Sequence, residues 1–148
     1  MKIRLMVSEE HISQIASELI ARGIDIDDSA DLILSEKNVY ADLLIGKCGD
    51  EIFRLKTTDI SHIESFSHDV IAHSGGEEYK ISERLRHLEE ILDPKEFIRI
   101  SNSVIVSANH IKSIKPTLGQ KFVLTMSDGS KTDVTRSYYY IFKEFFGI

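Results

Sequence analysis

Tryptophan is absent from this 148-residue chain, cysteine occurs once and proline twice. The single thiol, Cys48, rules out an internal disulfide and any zinc cage built from several cysteines, which fits a reducing, cytoplasmic setting. No apolar run reaches the roughly 18 residues that a membrane-spanning helix requires. The start, Met1-Lys2-Ile3-Arg4-Leu5, lacks the apolar stretch of a secretory signal and alternates as a strand does. Also missing are a glycine-rich phosphate loop, a nucleophile elbow and a His-Glu-x-x-His zinc helix. Without those signatures neither an enzyme nor a cofactor nor a small-molecule substrate is expected. There is no internal repeat and no low-complexity segment.

Two groups of titratable residues invite a metal reading. From Asp25 to Glu36, carboxylates fall at positions 1, 3, 7 and 12 of a calcium-type loop, with Ser29 at position 5. Position 6 is Ala30, where the sharp turn of such a loop wants glycine, so a solvated turn is the expectation. A small metal-dependent hydrolase built on Asp25, Asp27 and Asp31 is the weakest of the functional readings. The six histidines are scattered, and none pairs at helical ligand spacing with a flanking carboxylate. No metal is expected.

Acidic residues outnumber basic ones by 24 to 18, a net charge of −6 that by itself argues against a polyanionic partner. The imbalance is uneven along the chain. Residues 1–50 carry five Lys and Arg against ten Asp and Glu, and residues 51–98 carry six against eleven. Residues 99–148 reverse this, with seven against three. The last third is able to face a polyanion while the rest repels it.

Apolar spacing divides the chain into two parts. Residues 2–7 alternate as a strand; Ser8 then suits a helix N-cap and Glu9 and Glu10 suit the positive end of its dipole. Ile12, Ile15, Ala16, Leu19 and Ile20 form one helical stripe, and Gly23 stands where a C-terminal cap belongs. Apolar segments near 30–35 and 39–45 complete a small β-α-β-β unit over residues 1–46, suited to dimerisation or regulation. Gly46 to Asp50 reads as the joint. Beyond it, short β-branched stretches recur at 51–57, 61–66, 69–73, 78–81, 97–100, 104–106, 111–115, 121–126 and 131–134. Gly75-Gly76 and Asp128-Gly129 mark hairpins. One helix follows Ser82, with Leu85, Leu88 and Leu92 on one face and Asp93-Pro94 as its stop. A last helix spans Ser137 to Phe146, with Tyr138, Ile141, Phe142 and Phe145 inward. The chain is mainly β, α+β overall.

Ile60–Ser65, Phe97–Val106, Asn109–Ile114 and Val134–Ser137, all within residues 47–148, resemble in order and spacing the LytTR domain of bacterial transcription factors. Ile60-Ser61-His62-Ile63-Glu64-Ser65 looks like the opening I-x-x-I-E-S strand of that family. Phe97-Ile98-Arg99-Ile100-Ser101-Asn102-Ser103-Val104-Ile105-Val106 is similar to its F-x-R-x-H/S-x-S-x-x-V-N block. Asn109-His110-Ile111-Lys112-Ser113-Ile114 resembles the strand that follows, and Val134-Thr135-Arg136-Ser137 the closing V-S-R stretch. Ser107-Ala108 departs from the Val-Asn-Arg of many members.

The resemblance implies an elongated fold of short twisted sheets with one helix, and loops rather than a helix entering successive major grooves. By position, His68, Asn102 and Arg136 are the residues that would contact bases. Their chemistry suits the task independently: Arg forks onto guanine O6 and N7, Asn pairs with the N6/N7 edge of adenine, and neutral His donates one bond. Ser101, Ser103, Thr135, Ser137 and Tyr138 are the short donors expected at phosphates, and Lys112, Lys115, Lys121 and Lys131 supply charge. The function expected is a sequence-specific regulator of the standalone type, dimeric on repeated half-sites of duplex DNA. In that type a membrane-bound inhibitory partner often sets activity. The rival reading is an acidic adaptor that binds proteins while its β domain has lost DNA affinity. The basic last third distinguishes the two.

Overall fold

A computed structural model describes residues 1–148, which divide into two compact units, Met1–Ala41 and Asp42–Ile148. The first is built from β1 (Lys2–Met6), α1 (Glu9–Ala21), β2 (Asp25–Ile26) and β3 (Leu32–Ser35). Its sheet is parallel, in the order β2-β1-β3. Register sets Ile3 between Ile26 and Leu32, and Leu5 beside Leu34, so one face of the sheet is apolar throughout. Of the expected helical stripe, Ile15, Ala16 and Leu19 are half-buried, whereas Ile12 and Ile20 remain exposed. The acidic run at 25–31 is no open loop. It begins as β2, and Asp27 then closes a turn by accepting the Ser29 N–H at 2.9 Å and its hydroxyl at 2.6 Å. Those two bonds hold the Asp27 carboxyl below its usual value, helped by Lys2.

Helix α1 starts where Ser8 leaves extended backbone, but the Ser8 hydroxyl does not cap it. A carboxylate from the far end of the unit acts there instead. The Ser8 N–H donates to Glu36 Oε2 at 2.8 Å, and Glu36 Oε1 lies 2.9 Å from His11 Nδ1. This ties the start of α1 to the end of β3, and the Ser8 N–H is the main cause of the lowered Glu36 pKa.

The second unit opens with β4 (Leu43–Cys48) and β5 (Glu51–Lys56), a 3₁₀ turn (Thr57–Asp59), β6 (Ile60–Phe66), β7 (Asp69–Ser74) and β8 (Glu77–Ile81). After α2 (Leu85–Ile91) come β9 (Phe97–Arg99), β10 (Val104–Ser107), a second 3₁₀ turn (Ala108–His110), β11 (Ile111–Thr117), β12 (Lys121–Met126) and β13 (Lys131–Val134). A third 3₁₀ turn (Arg136–Tyr138) leads into α3 (Tyr139–Phe146). Seven strands form one antiparallel sheet in the order β5-β4-β8-β7-β6-β10-β9, and β11-β12-β13 form another. The unit is mainly β, and each of the nine strand stretches expected after residue 50 becomes a strand, with ends moved by only a few residues.

Alternation along β6 and β10 feeds two cores. Ile63 pairs with Ile105 and Ala72 and faces one side of the large sheet, which α2 covers with Leu85, Leu88 and Ile91. Val104, Val106 and Ile98 face the other side and join Phe122, Leu124, Met126, Val134 and Phe142 in a single buried cluster. Phe142 of α3 is fully buried as expected, but Ile141 is exposed, because the helix turns it away from that cluster.

The joint expected at Gly46 lies inside β4, where Gly46 pairs with Phe53 on one side and Ile81 on the other. The units divide after Ala41 instead. Gly46 is a close-approach residue: a Cβ there would stand 2.8 Å from both Leu55 Cδ1 and Tyr79 Cβ. The segment 39–45 accordingly supplies a strand of the second unit rather than a fourth element of the first. The true turn is Gly49-Asp50, and Gly75-Gly76, both at positive φ, close the β7–β8 hairpin as anticipated.

Two outcomes follow from these contacts. Gly46→Ala is expected to destabilise the second unit by about 1–3 kcal/mol, read as a lowered denaturation midpoint, because Tyr79 Cβ is fixed by its own backbone and no side-chain rotation moves it away. Glu36→Gln is expected to speed amide exchange at the start of α1 near neutral pH. The sign for the wild-type carboxylate is fixed by its lowered pKa: its contribution is complete above the ordinary value of 4.5 and is lost as pH falls through the lower folded-state value. Equal exchange in the two proteins near neutral pH would contradict this role.

Candidate nucleic-acid interface

Three loops of the second unit lie in sequence along one rim, and backbone hydrogen bonds hold them there. The β6–β7 turn is tight, since Phe66 already pairs with Asp69, and Ser67 takes a positive φ of 58°. That conformation presents His68 at the tip, exposed. The β9–β10 loop carries Ser101, Asn102 and Ser103, and the passage from β13 to α3 carries Thr135, Arg136 and Ser137. The Ser65 N–H donates to Ser103 O at 2.8 Å, joining the first loop to the second. The Thr135 N–H donates to Ile100 O at 3.0 Å, joining the second to the third.

Two adjoining grooves result, and Asn102 lines both. One, of about 450 Å³, has His68, Asn102, Arg99, Arg84, Arg86 and Lys80 among its walls. The other, of about 690 Å³, brings Asn102 together with Arg136, Ser137, Ser103 and Lys121. His68, Asn102 and Arg136 are thus gathered along a single surface although they span 69 positions of sequence. Arg136 is exposed, and no carboxylate lies within ion-pair distance of it.

Not every expected contact residue stands free at this surface. Ser101 is buried, and its hydroxyl accepts the Ser103 N–H at 3.2 Å. Thr135 directs its hydroxyl to Ile100 O at 3.4 Å. Tyr138 is half-buried, and its hydroxyl donates to Asn102 Oδ1 at 3.3 Å. These three shape the loops, whereas Ser103 and Ser137 are exposed. The lysines are also divided. Lys115, Lys121 and Lys131 share the outer face of β11-β12-β13, opposite the face that buries Phe122 and Leu124, and Lys112 occupies the β-bulge after Ile111. Of these four, only Lys121 borders a groove. Lys131 lies beside Thr125, four residues and about 13 Å further along β12.

Sequence reasoning missed the brace of this site. Arg99 donates from Nη2 to Asn102 O at 2.6 Å and from Nε to Ser101 O at 3.1 Å, while its Nη1 meets Glu89 Oε2 at 3.3 Å. A planar guanidinium fork thereby fixes two carbonyls of the Asn102 loop and anchors them to α2. Arg84 and Arg86 were hidden as well, because Glu77, Glu78, Glu83, Glu89 and Glu90 make the middle third acidic on average. The signal available was the Arg-x-Arg pair at the start of the Leu-spaced helix.

Comparison with known proteins places the chain. Residues 50–147 match the LytTr DNA-binding domain family, and the chain belongs to that family, a class of DNA-binding domains rather than of enzymes. Among curated relatives, the transcriptional regulatory protein LytR of Staphylococcus aureus is 27% identical over 141 residues, 95% of this chain and 57% of that protein. The sensory transduction protein LytT of Bacillus subtilis is 31% identical over 110 residues, 73% of this chain and 46% of that protein. The chain therefore spans about half the length of these relatives. A solved LytTr DNA-binding domain from Bacillus cereus superposes with a TM-score of 0.71 at 25% identity, covering 73% of this chain and 99% of that domain.

Arg99→Lys provides a test of the brace, since one ammonium cannot reproduce the fork. Exchange of the Ser103 amide is expected to accelerate, with a stability loss of about 1–3 kcal/mol. Unchanged protection of Ser103 would mean that Arg99 does not hold the loop.

Proposed function

We propose that this chain is a sequence-specific transcriptional regulator that reads duplex DNA through the three loops of its second unit, inserted into the major groove. The observation that carries this reading is the alignment of His68, Asn102 and Arg136 along two adjoining grooves. Each is exposed on a hydrogen-bonded loop. Arg136 supplies the bidentate fork suited to guanine, and Asn102 an amide suited to adenine. With Tyr138 bonded to its Oδ1 and Arg99 bonded to its carbonyl, Asn102 is held in place before any ligand arrives. Pre-set geometry lowers the ordering cost of binding.

Arg84, Arg86, Lys121 and Arg136 provide the charge at the surface itself, with Ser103 and Ser137 as short donors to phosphate. Lys112, Lys115 and Lys131 add to the field from further away. Dimerisation on repeated half-sites is assigned to the first unit, where Leu32 and Leu34 point the same way from the edge strand β3 and are both exposed.

Measured against a duplex selected from a random library, Arg136→Ala is expected to cost about 1–3 kcal/mol and to relax base preference at one position. Lys121→Ala is expected to weaken all sequences alike and to flatten the salt slope by about one unit. Lys131→Ala should leave both nearly unchanged. If Arg136→Ala keeps the wild-type affinity and footprint, the loop assignment fails.

A further inference from the structure

We infer that His62, Glu64 and His73 form a binding site for a divalent first-row transition ion, zinc in particular, on the large sheet of the second unit. This site is separate from the loops assigned to DNA and does not depend on that assignment. His62 and His73 are direct cross-strand partners on β6 and β7, a register set by the irregularity at Ser61. Glu64 follows two residues along β6 and so projects from the same face. One ligand atom from each of the three lies within 4.8 Å of the others. Glu64 Oε1 is already 2.7 Å from His73 Nε2.

The surroundings orient these groups as ligands. Ser61 Oγ lies 2.9 Å from His62 Nδ1 and 3.3 Å from His73 O. A His62 that donates from Nδ1 lets the hydroxyl donate to His73 O, and that tautomer leaves the Nε2 lone pair for an ion. Beyond the second ring, Glu78 Oε1 stands 4.0 Å from His73 Nδ1, on the side from which a carboxylate steadies a ligating imidazole. Asp128, from the β12–β13 hairpin, is close enough for its charge to act on both rings. Two imidazoles thus face three carboxylates, Glu64, Glu78 and Asp128, and the field attracts a cation.

The ligand types select the ion. Imidazole nitrogen with carboxylate oxygen suits zinc and its first-row neighbours, whereas magnesium and calcium prefer all-oxygen shells. The two rings are stacked, 4.0 Å apart and 7° from parallel. An ion lies in the plane of each imidazole it joins, so one ring must tilt. Ligand atoms must also close to about 3.3 Å, the separation that zinc bonds of about 2.0–2.1 Å impose in a tetrahedron. The second torsion of an imidazole is broad, which gives His73 freedom to tilt. Glu64, its side chain 41% exposed, leaves a path for entry.

The test is calorimetric titration of zinc chloride into the chelator-free full chain, with cobalt(II) absorption as the readout of ligand geometry. The expected result is one ion per chain, bound in the micromolar range or tighter, with a cobalt spectrum of low coordination number. Glu64→Gln, which keeps the shape of an accessible side chain, is expected to weaken binding at least about tenfold. His73→Gln should do the same, and Glu64→Gln decides alone if that variant fails to fold. His68→Gln and Cys48→Ser, which alter exposed groups elsewhere, should leave the affinity within about twofold. Absence of saturable binding overturns the site, as does wild-type affinity in Glu64→Gln or loss of binding in Cys48→Ser.

Discussion

The pairing of β6 with β10 is the constraint on which the second unit depends. Ile63 opposite Ile105 joins one core, while Val104 and Val106, on the alternate face, enter the other. A slip of one residue would exchange the two sets and bring His62 and Glu64 into the core against α2. The same pairing ends at the rim, where Ser65 bonds Ser103 and brings the turn bearing His68 against the loop bearing Asn102. Fold and recognition surface are therefore set by one register.

Around that pairing the chain spreads its polar chemistry by face and by edge. At the strand ends, Arg99 clasps the Asn102 loop, so the exposed amide rests on a half-buried guanidinium that also pairs with the exposed Glu89. On the sheet face, His62 and His73 sit where the apolar cluster gives way to solvent. At the end of the second 3₁₀ turn, His110 links Ser127 Oγ at 2.8 Å to Thr58 O at 2.7 Å, tying the small sheet to the segment that precedes β6. Histidines that look scattered in sequence acquire distinct structural settings once the strands pair.

The strands after residue 50 were legible because β-branched alternation and polar turns are local signals, and LytTR-like segments marked the loops that bear His68, Asn102 and Arg136. Gly46 was misread because a glycine that permits close approach carries the same letter as one that permits a turn. Only the positions of Leu55 and Tyr79 separate the two cases. The dual role of the serines was equally hidden: Ser101 turns inward and Ser103 outward, although they flank one residue. Averaging charge over thirds of the chain concealed Arg84 and Arg86, which the start of α2 brings to the groove from an acidic stretch. The glutamate that caps α1 lies 28 residues from Ser8, beyond the reach of any local capping pattern.

The most direct test of the three-loop account is an isotope-edited resonance titration of the full chain with its selected duplex. The account predicts that the largest amide shifts cluster at Ser67–His68, Asn102–Ser103 and Arg136–Ser137, with smaller effects near Lys131. Shifts confined to the outer face of β11-β12-β13, leaving Asn102 and Arg136 unmoved, would contradict it.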